Sequence, residues 1–153
     1  MRGALAQRAA RRPGLLAFGA GVVAAAGQAP LNLWPLALAG FAGLFALVLP
    51  APSPLQAAKR AWLFGGGYFA AALSWLVEPF LVDIARHGWM APFALFFMSF
   101  GLALFWAAAG WGAARAGTGA RRALALAVAL GLAELARSYV FTGFPWALIG
   151  HLW

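Results

Sequence analysis

Five long runs of apolar residues, separated by short loops that hold most of the charges, dominate the sequence. A helix needs about 20 predominantly apolar residues to cross a bilayer, and about 17 to 25 are tolerated. Only 9% of the residues are charged, whereas about a quarter are charged in ordinary soluble domains. We therefore predict an all-α fold, a polytopic transmembrane helix bundle that takes up residues 1–153. The five predicted spans are approximately residues 13–29, 34–49, 61–77, 89–114 and 123–141.

The first two runs are short and are joined through the sequence GQAPLNLWP. Proline has no backbone N–H and its ring blocks a continuing helix, so Pro30 and Pro35 favour a tight helical hairpin over one long helix. The runs form either two short spans or a re-entrant pair, and two spans is the favoured interpretation. The first run, preceded by Arg8, Arg11 and Arg12, also resembles a cleavable signal peptide. Three longer runs would remain after such a cleavage.

The basic residues are distributed unevenly between the two ends of the runs. Nine of the 11 Lys and Arg residues fall on one side of the predicted spans, and Arg86 and Arg137 fall on the other. Because short loops rich in Lys and Arg stay cytoplasmic, this asymmetry predicts a cytoplasmic N-terminus. We expect no nucleic-acid partner, since such binding needs cations clustered on one folded face. The nine residues are Arg2, Arg8, Arg11, Arg12, Lys59, Arg60, Arg115, Arg121 and Arg122.

Two local patterns predict how the third helix begins and packs. Ser53 followed by Pro54 is typical of a helix N-cap with proline in the first turn. The run Gly65, Gly66 and Gly67 lies inside an apolar stretch and lacks the Lys and Ser or Thr that complete a phosphate-binding loop. We interpret these glycines as small residues that let two helices approach closely.

The loop after the third run contains Glu78, Asp83 and His87. Groups of this kind can bind a metal ion or take part in acid–base chemistry. Three groups without a second nearby histidine favour a simpler interpretation, a polar extracytoplasmic cap over the helix ends. The sequence contains no cysteine, so neither a thiolate nucleophile nor a cysteine ligand comes from these residues. We predict no metal site and no cofactor.

Glu134 and Arg137 are the only charged residues within the fifth run. Residues three apart on a helix lie on the same face, so this spacing predicts an ion pair. Ionisable groups inside a membrane span are costly and usually face the protein interior or an aqueous cavity. Two interpretations remain open: an internal structural pair, or a pair that lines a polar head-group site.

The sequence TGFPWALIG, which follows the fifth run, predicts a break in the helix. Pro145 cannot continue a helix and Gly143 frees the backbone two residues earlier, so the break should fall around residues 141–145. Irregular backbone at membrane depth is tolerated only where protein buries it or where it lines a water-filled cavity. We therefore expect this segment to form the wall of a cavity near the outer interface.

The side chains of this segment are candidates for lipid contact. Phe144 and Trp146 offer apolar faces to an acyl chain, and Arg137, one to two turns below, has the donors to attract a phosphate. The alternative is a helix stop with Trp146 as an interfacial anchor, as is common for tryptophan at membrane boundaries.

Four stretches together resemble the N-terminal membrane region of bacterial apolipoprotein N-acyltransferases. They are APLNLWPLAL in the first hairpin, GYFAAALSWLVEPFLVD at the end of the third run, HGWMAP before the fourth, and AELARSYVFTGFPWALIG from the fifth run onward. The last is the most specific, because an in-membrane E-x-x-R followed by TGFPW is much rarer than generic apolar sequence.

The resemblance implies an eight-helix bundle in the bacterial inner membrane that carries an extracytoplasmic nitrilase-like domain. That domain would use a Glu-Lys-Cys triad to move an acyl chain from a phospholipid donor, through a thioester, to the N-terminal amine of a diacylated lipoprotein acceptor. Forming a covalent intermediate would let the two lipid substrates use one site in turn. The candidate lipid or substrate contacts in this chain are Glu134, Arg137, Phe144, Pro145, Trp146, Trp75 and Glu78.

No catalytic residue can be assigned, because the sequence has no cysteine and its single lysine, Lys59, lies in a predicted cytoplasmic loop. We therefore expect the chain to be an N-terminal fragment that lacks the catalytic domain and is inactive alone. The alternative is a stand-alone membrane scaffold or transporter subunit.

Overall fold

The computed structural model describes residues 13–140 and 143–152, and within these residues all regular structure is helical. The all-α prediction is therefore confirmed. Residues 1–12, with four of the predicted cytoplasmic arginines, and residues 141, 142 and 153 lie outside the described residues. The five longest helices are α1 (Pro13–Ala25), α2 (Trp34–Val48), α3 (Pro54–Ala72), α4 (Ala91–Arg115) and α5 (Gly119–Arg137).

The first two helices form the predicted hairpin. A turn of residues 26–33 joins α1 to α2, and the two helices pack against each other. Pro35 lies in the first turn of α2, where its missing N–H costs no intrahelical hydrogen bond. The predicted break is present and α2 begins at the predicted residue, but α1 ends at Ala25, four residues before the predicted end of the first run at residue 29.

The start of α3 follows the predicted capping pattern. The Ser53 hydroxyl accepts a hydrogen bond from the backbone N–H of Gln56 at 3.3 Å, and Pro54 is the first helical residue. The helix therefore begins seven residues before the apolar run at residues 61–77, and its first two turns contain the charged residues Lys59 and Arg60.

The fifth helix does not coincide with the predicted membrane span of residues 123–141, because it begins and ends four residues earlier. The helix begins at Gly119, so that Arg121 and Arg122 are helical, and it ends at Arg137. Apolarity indicates which residues avoid water, whereas a helix end depends on where its last carbonyl groups find partners. The break thus comes earlier than the predicted residues 141–145.

Short helical turns connect α3 to α4. They cover Ser74–Val77, Glu78–Leu81, Ile84–His87 and Gly88–Met90. The Asp83 carboxylate caps the third of these turns by accepting a hydrogen bond from the Arg86 N–H at 3.2 Å.

One helical stretch in the described part of the chain, Ile84–Arg115, is long and apolar enough to cross a membrane, with 32 residues and an 18-residue window whose mean hydropathy is 1.9. Helices α1 and α2 are apolar but shorter, and α3 and α5 contain charged residues. The prediction of five spans is therefore not confirmed by helix length and composition.

Helix α3 lies at the centre of the bundle, where it contacts α1, α2 and α4, and α5 packs on α4. Glycines allow the closest of these contacts. A side chain at Gly21 of α1 would collide with the Phe64 carbonyl, and one at Gly67 of α3 would collide with the Phe18 carbonyl. The predicted role of the glycine run in close helix packing is confirmed for Gly67, whose missing side chain lets α1 lie against the α3 backbone.

Aromatic rings fill the centre of the bundle, while many large aliphatic and aromatic side chains lie on its outside. Trp106 of α4 packs on Phe69 and Tyr68 of α3, with ring centroids 4.9 and 5.0 Å apart. An exterior with this many exposed apolar side chains is typical of proteins that contact lipid or another apolar partner. Exposed large side chains include Leu15, Leu36, Phe97, Leu104, Leu124 and Leu132.

Candidate functional site

The charged pair at the end of α5 lies inside the protein. Arg137 is 1% exposed and Glu134 is 13% exposed, and a guanidinium Nη2 to carboxylate Oε2 distance of 3.1 Å joins them. The ion pair predicted from their spacing is therefore present. Because Arg137 is buried and Glu134 is largely shielded from water, each needs further partners to offset the cost of burial.

Arg137 obtains those partners from the chain that follows its own helix. Its Nη1 donates to the carbonyls of Trp146 at 2.8 Å and Phe144 at 3.3 Å, and its Nη2 also donates to the carbonyl of Ala147 at 3.3 Å. The guanidinium carbon lies 4.8 Å from the centre of the Phe69 ring, a distance at which a cation is attracted to an aromatic face. Arg137 thus fastens residues 144–147 against α5 and α3.

Glu134 extends the same network to α4 and to the last helical turn. One carboxylate oxygen accepts from the Trp106 indole N–H at 3.0 Å, and the other accepts from the Ile149 backbone N–H at 2.8 Å. The Ile149 amide begins the helical turn Ile149–Leu152, so the carboxylate satisfies a donor at a helix N-terminus. Glu134 therefore ties α5 to α4 and to the chain beyond residue 143.

Two neutral side chains complete the network from the opposite side. The Tyr68 hydroxyl donates to the Ala147 carbonyl at 3.2 Å and accepts from the Gln28 amide at 2.6 Å. The same Gln28 nitrogen lies 2.9 Å from the Leu148 carbonyl. Residues from the α1–α2 turn, α3 and α5 therefore hydrogen-bond the segment of residues 143–152, hereafter the C-terminal segment, and Trp106 of α4 joins the network through Glu134.

Sequence reasoning missed Gln28, Tyr68 and Trp106 as members of this site. The position of Trp106 carried a usable signal, because an indole N–H in the middle of an apolar run needs an acceptor. Glu134 was the available candidate, since the other two carboxylates, Glu78 and Asp83, lie at or beyond the end of the third run. Nothing comparable in the sequence links Gln28 to residues 120 positions away.

The local backbone explains why the chain turns back after α5. Ser138 ends the helix, and its hydroxyl donates to the Glu134 carbonyl at 3.0 Å. Gly143 has a φ of +83°, and a side chain there would collide with the Ser138 carbonyl. The Phe144 N–H then donates to the Arg137 carbonyl at 2.9 Å. Glycine at 143 is required because L-residues rarely adopt this conformation.

The predicted aromatic contacts lie on the outer side of the C-terminal segment. The rings of Trp75 and Trp146 pack edge to face with centroids 6.0 Å apart, and both remain substantially exposed. They line a cavity of about 310 Å³ together with Gln28 and His151. The structure therefore brings together two candidates, Trp75 and Trp146, that are far apart in sequence.

The remaining candidates occupy neighbouring surfaces. Glu78 is exposed and lines a groove of about 590 Å³ that also contacts Trp75. Phe144 lines a separate groove of about 460 Å³ beside Arg137 and faces α4. Pro145 is exposed between them. Three of the seven candidates thus belong to the C-terminal segment, and the seven do not share one pocket.

The buried network holds the C-terminal segment in position and offers no free group for catalysis among the described residues. Both Nη atoms of Arg137 already donate to protein oxygens, and only its buried Nε lacks a partner among the described residues. A lipid phosphate would have to displace backbone carbonyls to reach those donors. Within residues 13–140 and 143–152, no group of three His, Cys, Asp or Glu side chains is arranged to hold a metal ion.

The fold and this network define a helical domain with an apolar exterior that fixes the chain beyond its last long helix. Residues 20–153 match the family model described as the apolipoprotein N-acyltransferase N-terminal domain. The chain belongs to this family.

Curated relatives named apolipoprotein N-acyltransferase agree with this assignment. The relative from Caulobacter vibrioides is 46% identical over 143 residues, which cover 90% of this chain and 27% of the relative. Those from Brucella suis and Sinorhizobium fredii are 38% and 39% identical over 92% and 88% of this chain. The chain spans 27% to 28% of the length of these relatives.

Proposed function

We propose that this chain forms the membrane-embedded region of an apolipoprotein N-acyltransferase in the bacterial inner membrane. The complete enzyme would transfer an acyl chain from a phospholipid donor to the N-terminal diacylglyceryl-cysteine of a lipoprotein acceptor. The observation that carries the proposal is the match of residues 20–153 to the N-terminal domain of this family. Family membership also disfavours a stand-alone scaffold or transporter subunit.

In this proposal the bundle positions the C-terminal segment, and the segment contacts lipid. The buried network supports the first role, because hydrogen bonds from three separate parts of the bundle, the α1–α2 turn, α3 and α5, hold the segment in one place. The exposed faces of Trp146 and Trp75 support the second, since tryptophan combines a large apolar surface with a polar N–H at a membrane boundary.

Five membrane spans with a cytoplasmic N-terminus are part of the proposal. The exposed apolar side chains around the bundle support it, as does the uneven distribution of basic residues. At about 1.5 Å per residue, α1 is about 20 Å long, shorter than the hydrocarbon core of about 30 Å. The α1–α2 hairpin would therefore need local thinning of the bilayer, or it would be re-entrant.

Cysteine labelling tests this topology, and the chain offers a cysteine-free background. Single cysteines at the exposed positions Gln56, His87 and Thr118 would be treated with a membrane-impermeant thiol reagent on intact spheroplasts. We expect labelling at His87 only, with Gln56 and Thr118 reacting after permeabilisation. Labelling of Gln56 or Thr118 in intact spheroplasts would contradict the five-span arrangement.

A chimaera tests the enzymatic proposal. This chain would replace the matching N-terminal region of the Caulobacter vibrioides relative in a strain depleted of its own enzyme. We expect growth and triacylated lipoprotein, measured by mass spectrometry of a lipoprotein N-terminal peptide. A chimaera that accumulates in the membrane at the level of the intact relative but leaves lipoproteins diacylated would contradict the proposal.

The lipid contact can be tested in the same chimaera. Trp146→Ala and Phe144→Ala should each raise the phospholipid concentration that gives half-maximal acyl transfer, because each removes apolar surface from the C-terminal segment. Trp146→Phe keeps most of that surface and serves as the matched control. If both alanine variants needed the same phospholipid concentration as the unmodified chimaera, the lipid-contact hypothesis would be wrong. The segment would then act only as a helix stop.

A further inference from the structure

A second buried arginine, Arg122 in the first turn of α5, lacks the partners that Arg137 has. Arg122 is 7% exposed, and its Nη1 donates to the Ala51 carbonyl at 3.1 Å. Its Nε and Nη2 are buried and have no partner among the described residues. A buried cation with two unsatisfied donors is costly, because neither water nor protein replaces its hydration.

Arg122 lies in the wall of a cavity of about 450 Å³ at the end of the bundle opposite the C-terminal segment. Two loops form this cavity, the α2–α3 loop and the α4–α5 loop, and none of its lining side chains is acidic. Ser53 and Thr118, which carry hydroxyl groups, also line it. The side chains that line the cavity are therefore one cation, two hydroxyls and apolar groups.

The backbone adds to the positive potential of this cavity. Thr118 and Ser53 are the N-cap residues of α5 and α3, helices of 19 residues each, so two helix N-termini meet there. The Thr118 side chain makes no capping hydrogen bond, and the first turn of α5 contains no acidic residue. Both features are unusual, because helix N-termini favour acidic side chains and capping hydroxyls.

The two arginines in this first turn make the imbalance larger. Arg121 and Arg122 both lie where the helix dipole disfavours positive charge. An anion bound beside Arg122 at the helix N-terminus would reverse the sign of that interaction and would accept from the free amide and guanidinium groups.

We propose that this cavity is a binding site for a phosphate group, held by Arg122 and the N-terminus of α5. A tetrahedral phosphate presents several strong acceptor oxygens, which suits the unpaired edge of a guanidinium together with hydroxyl and amide donors. On the proposed topology the cavity opens at the cytoplasmic face, so the phosphate source is an inner-leaflet phospholipid head group. Only this choice of source rests on the proposed function, since the site itself rests on Arg122.

Native mass spectrometry of the purified chain in detergent, with three probes, tests the site and its source. Phosphatidylglycerol should be retained at one molecule per chain, and diacylglycerol with the same acyl chains, which lacks the phosphate, should not. Inorganic phosphate, added as a competitor, identifies the source of the phosphate group. We expect that it does not displace phosphatidylglycerol from a lipid site. Full displacement of phosphatidylglycerol by millimolar inorganic phosphate would assign the site to a soluble phosphate. Equal retention of diacylglycerol and phosphatidylglycerol would overturn the proposal.

Matched variants then locate the site. Arg122→Gln should lower the retention of phosphatidylglycerol by roughly tenfold or more, as expected for loss of a charge-assisted pair. Arg121→Gln removes the same charge from the neighbouring exposed position and should retain lipid within about twofold. Thr118→Val, which removes one hydroxyl, should lower retention severalfold. Similar retention by all three variants would show non-specific attraction and would overturn the site.

Discussion

The two buried arginines of α5 differ in how completely the protein satisfies them. Arg137 at the C-terminal end pairs with Glu134 and donates to three backbone carbonyls, whereas Arg122 at the N-terminal end has one acceptor among the described residues. The helix dipole favours a cation at the first of these positions and disfavours it at the second. The difference teaches that burial alone does not assign a role to a charge. We interpret Arg137, with most of its donors paired, as a structural cation, and Arg122, with two buried donors unpaired, as part of the proposed phosphate site.

The largest effect should come from Arg137→Met. This change leaves Glu134 buried without its counter-ion and releases the carbonyls of the C-terminal segment. Removing one partner of a buried pair typically costs about 3 to 5 kcal/mol in the free energy of unfolding, measurable by denaturation in detergent micelles. Arg121→Met, at an exposed position, is the control and should cost little. A loss below about 1 kcal/mol for Arg137→Met would remove the contrast between the two arginines.

Gly143→Ala should have the next largest effect. The positive φ and the close Ser138 carbonyl strain any side chain at this position, at a cost of about 1 to 3 kcal/mol. Gly150→Ala is the matched control, because a methyl group there meets no neighbouring atom within 4 Å. Equal thermal stability of the two variants would show that the turn after α5 is not held in this conformation.

Tyr68→Phe should have a smaller effect, because it removes one hydroxyl while Arg137 continues to bond the Ala147 carbonyl. We expect a loss of about 0.5 to 1.5 kcal/mol, seen as a lower midpoint of chemical denaturation. The only other tyrosine in the chain, Tyr139, is 77% exposed, so Tyr139→Phe should leave the midpoint unchanged. If the two substitutions had the same effect, Tyr68 would not belong to the network.

The smallest effect is expected for Arg122→Gln in lipid-free, phosphate-free detergent. The variant loses the hydrogen bond to Ala51, but it also loses a buried, largely unpaired charge. The net change in the free energy of unfolding should therefore stay below about 1 kcal/mol. Added phosphatidylglycerol should raise the melting temperature of the wild type but not that of the variant. A loss as large as that of Arg137→Met would mean that Arg122 is structural, and the comparison would fail.

Sequence patterns predicted those parts of the fold that depend on neighbours along the chain. Prolines and a capping serine indicated where α2 and α3 begin, and the spacing of Glu134 and Arg137 indicated their pair. Helix ends were predicted less well, since hydrophobicity located the apolar part of α5 but not its true bounds.

The rest of the site could not be predicted, because its contacts join residues far apart in the chain. Tyr68 and Ala147 are 79 positions apart, and Trp106 and Glu134 are 28 apart. Arg122 was interpreted only as one of nine topology-determining cations, because a sequence shows a charge but not whether it is buried or paired. That distinction required the packing of the α2–α3 loop against α5.

A double-mutant cycle on Glu134 and Arg137 in the Caulobacter chimaera tests most directly the claim that their pair holds the C-terminal segment for function. The measurement is acyl transfer to a lipoprotein at matched levels of folded protein, for Glu134→Gln, Arg137→Met and the double variant. Each single change should lower the rate by roughly tenfold or more, and the double change should be no worse than the poorer single one, because the groups act as one unit. Losses that multiply in the double variant would show that the two residues act independently, and would contradict the account.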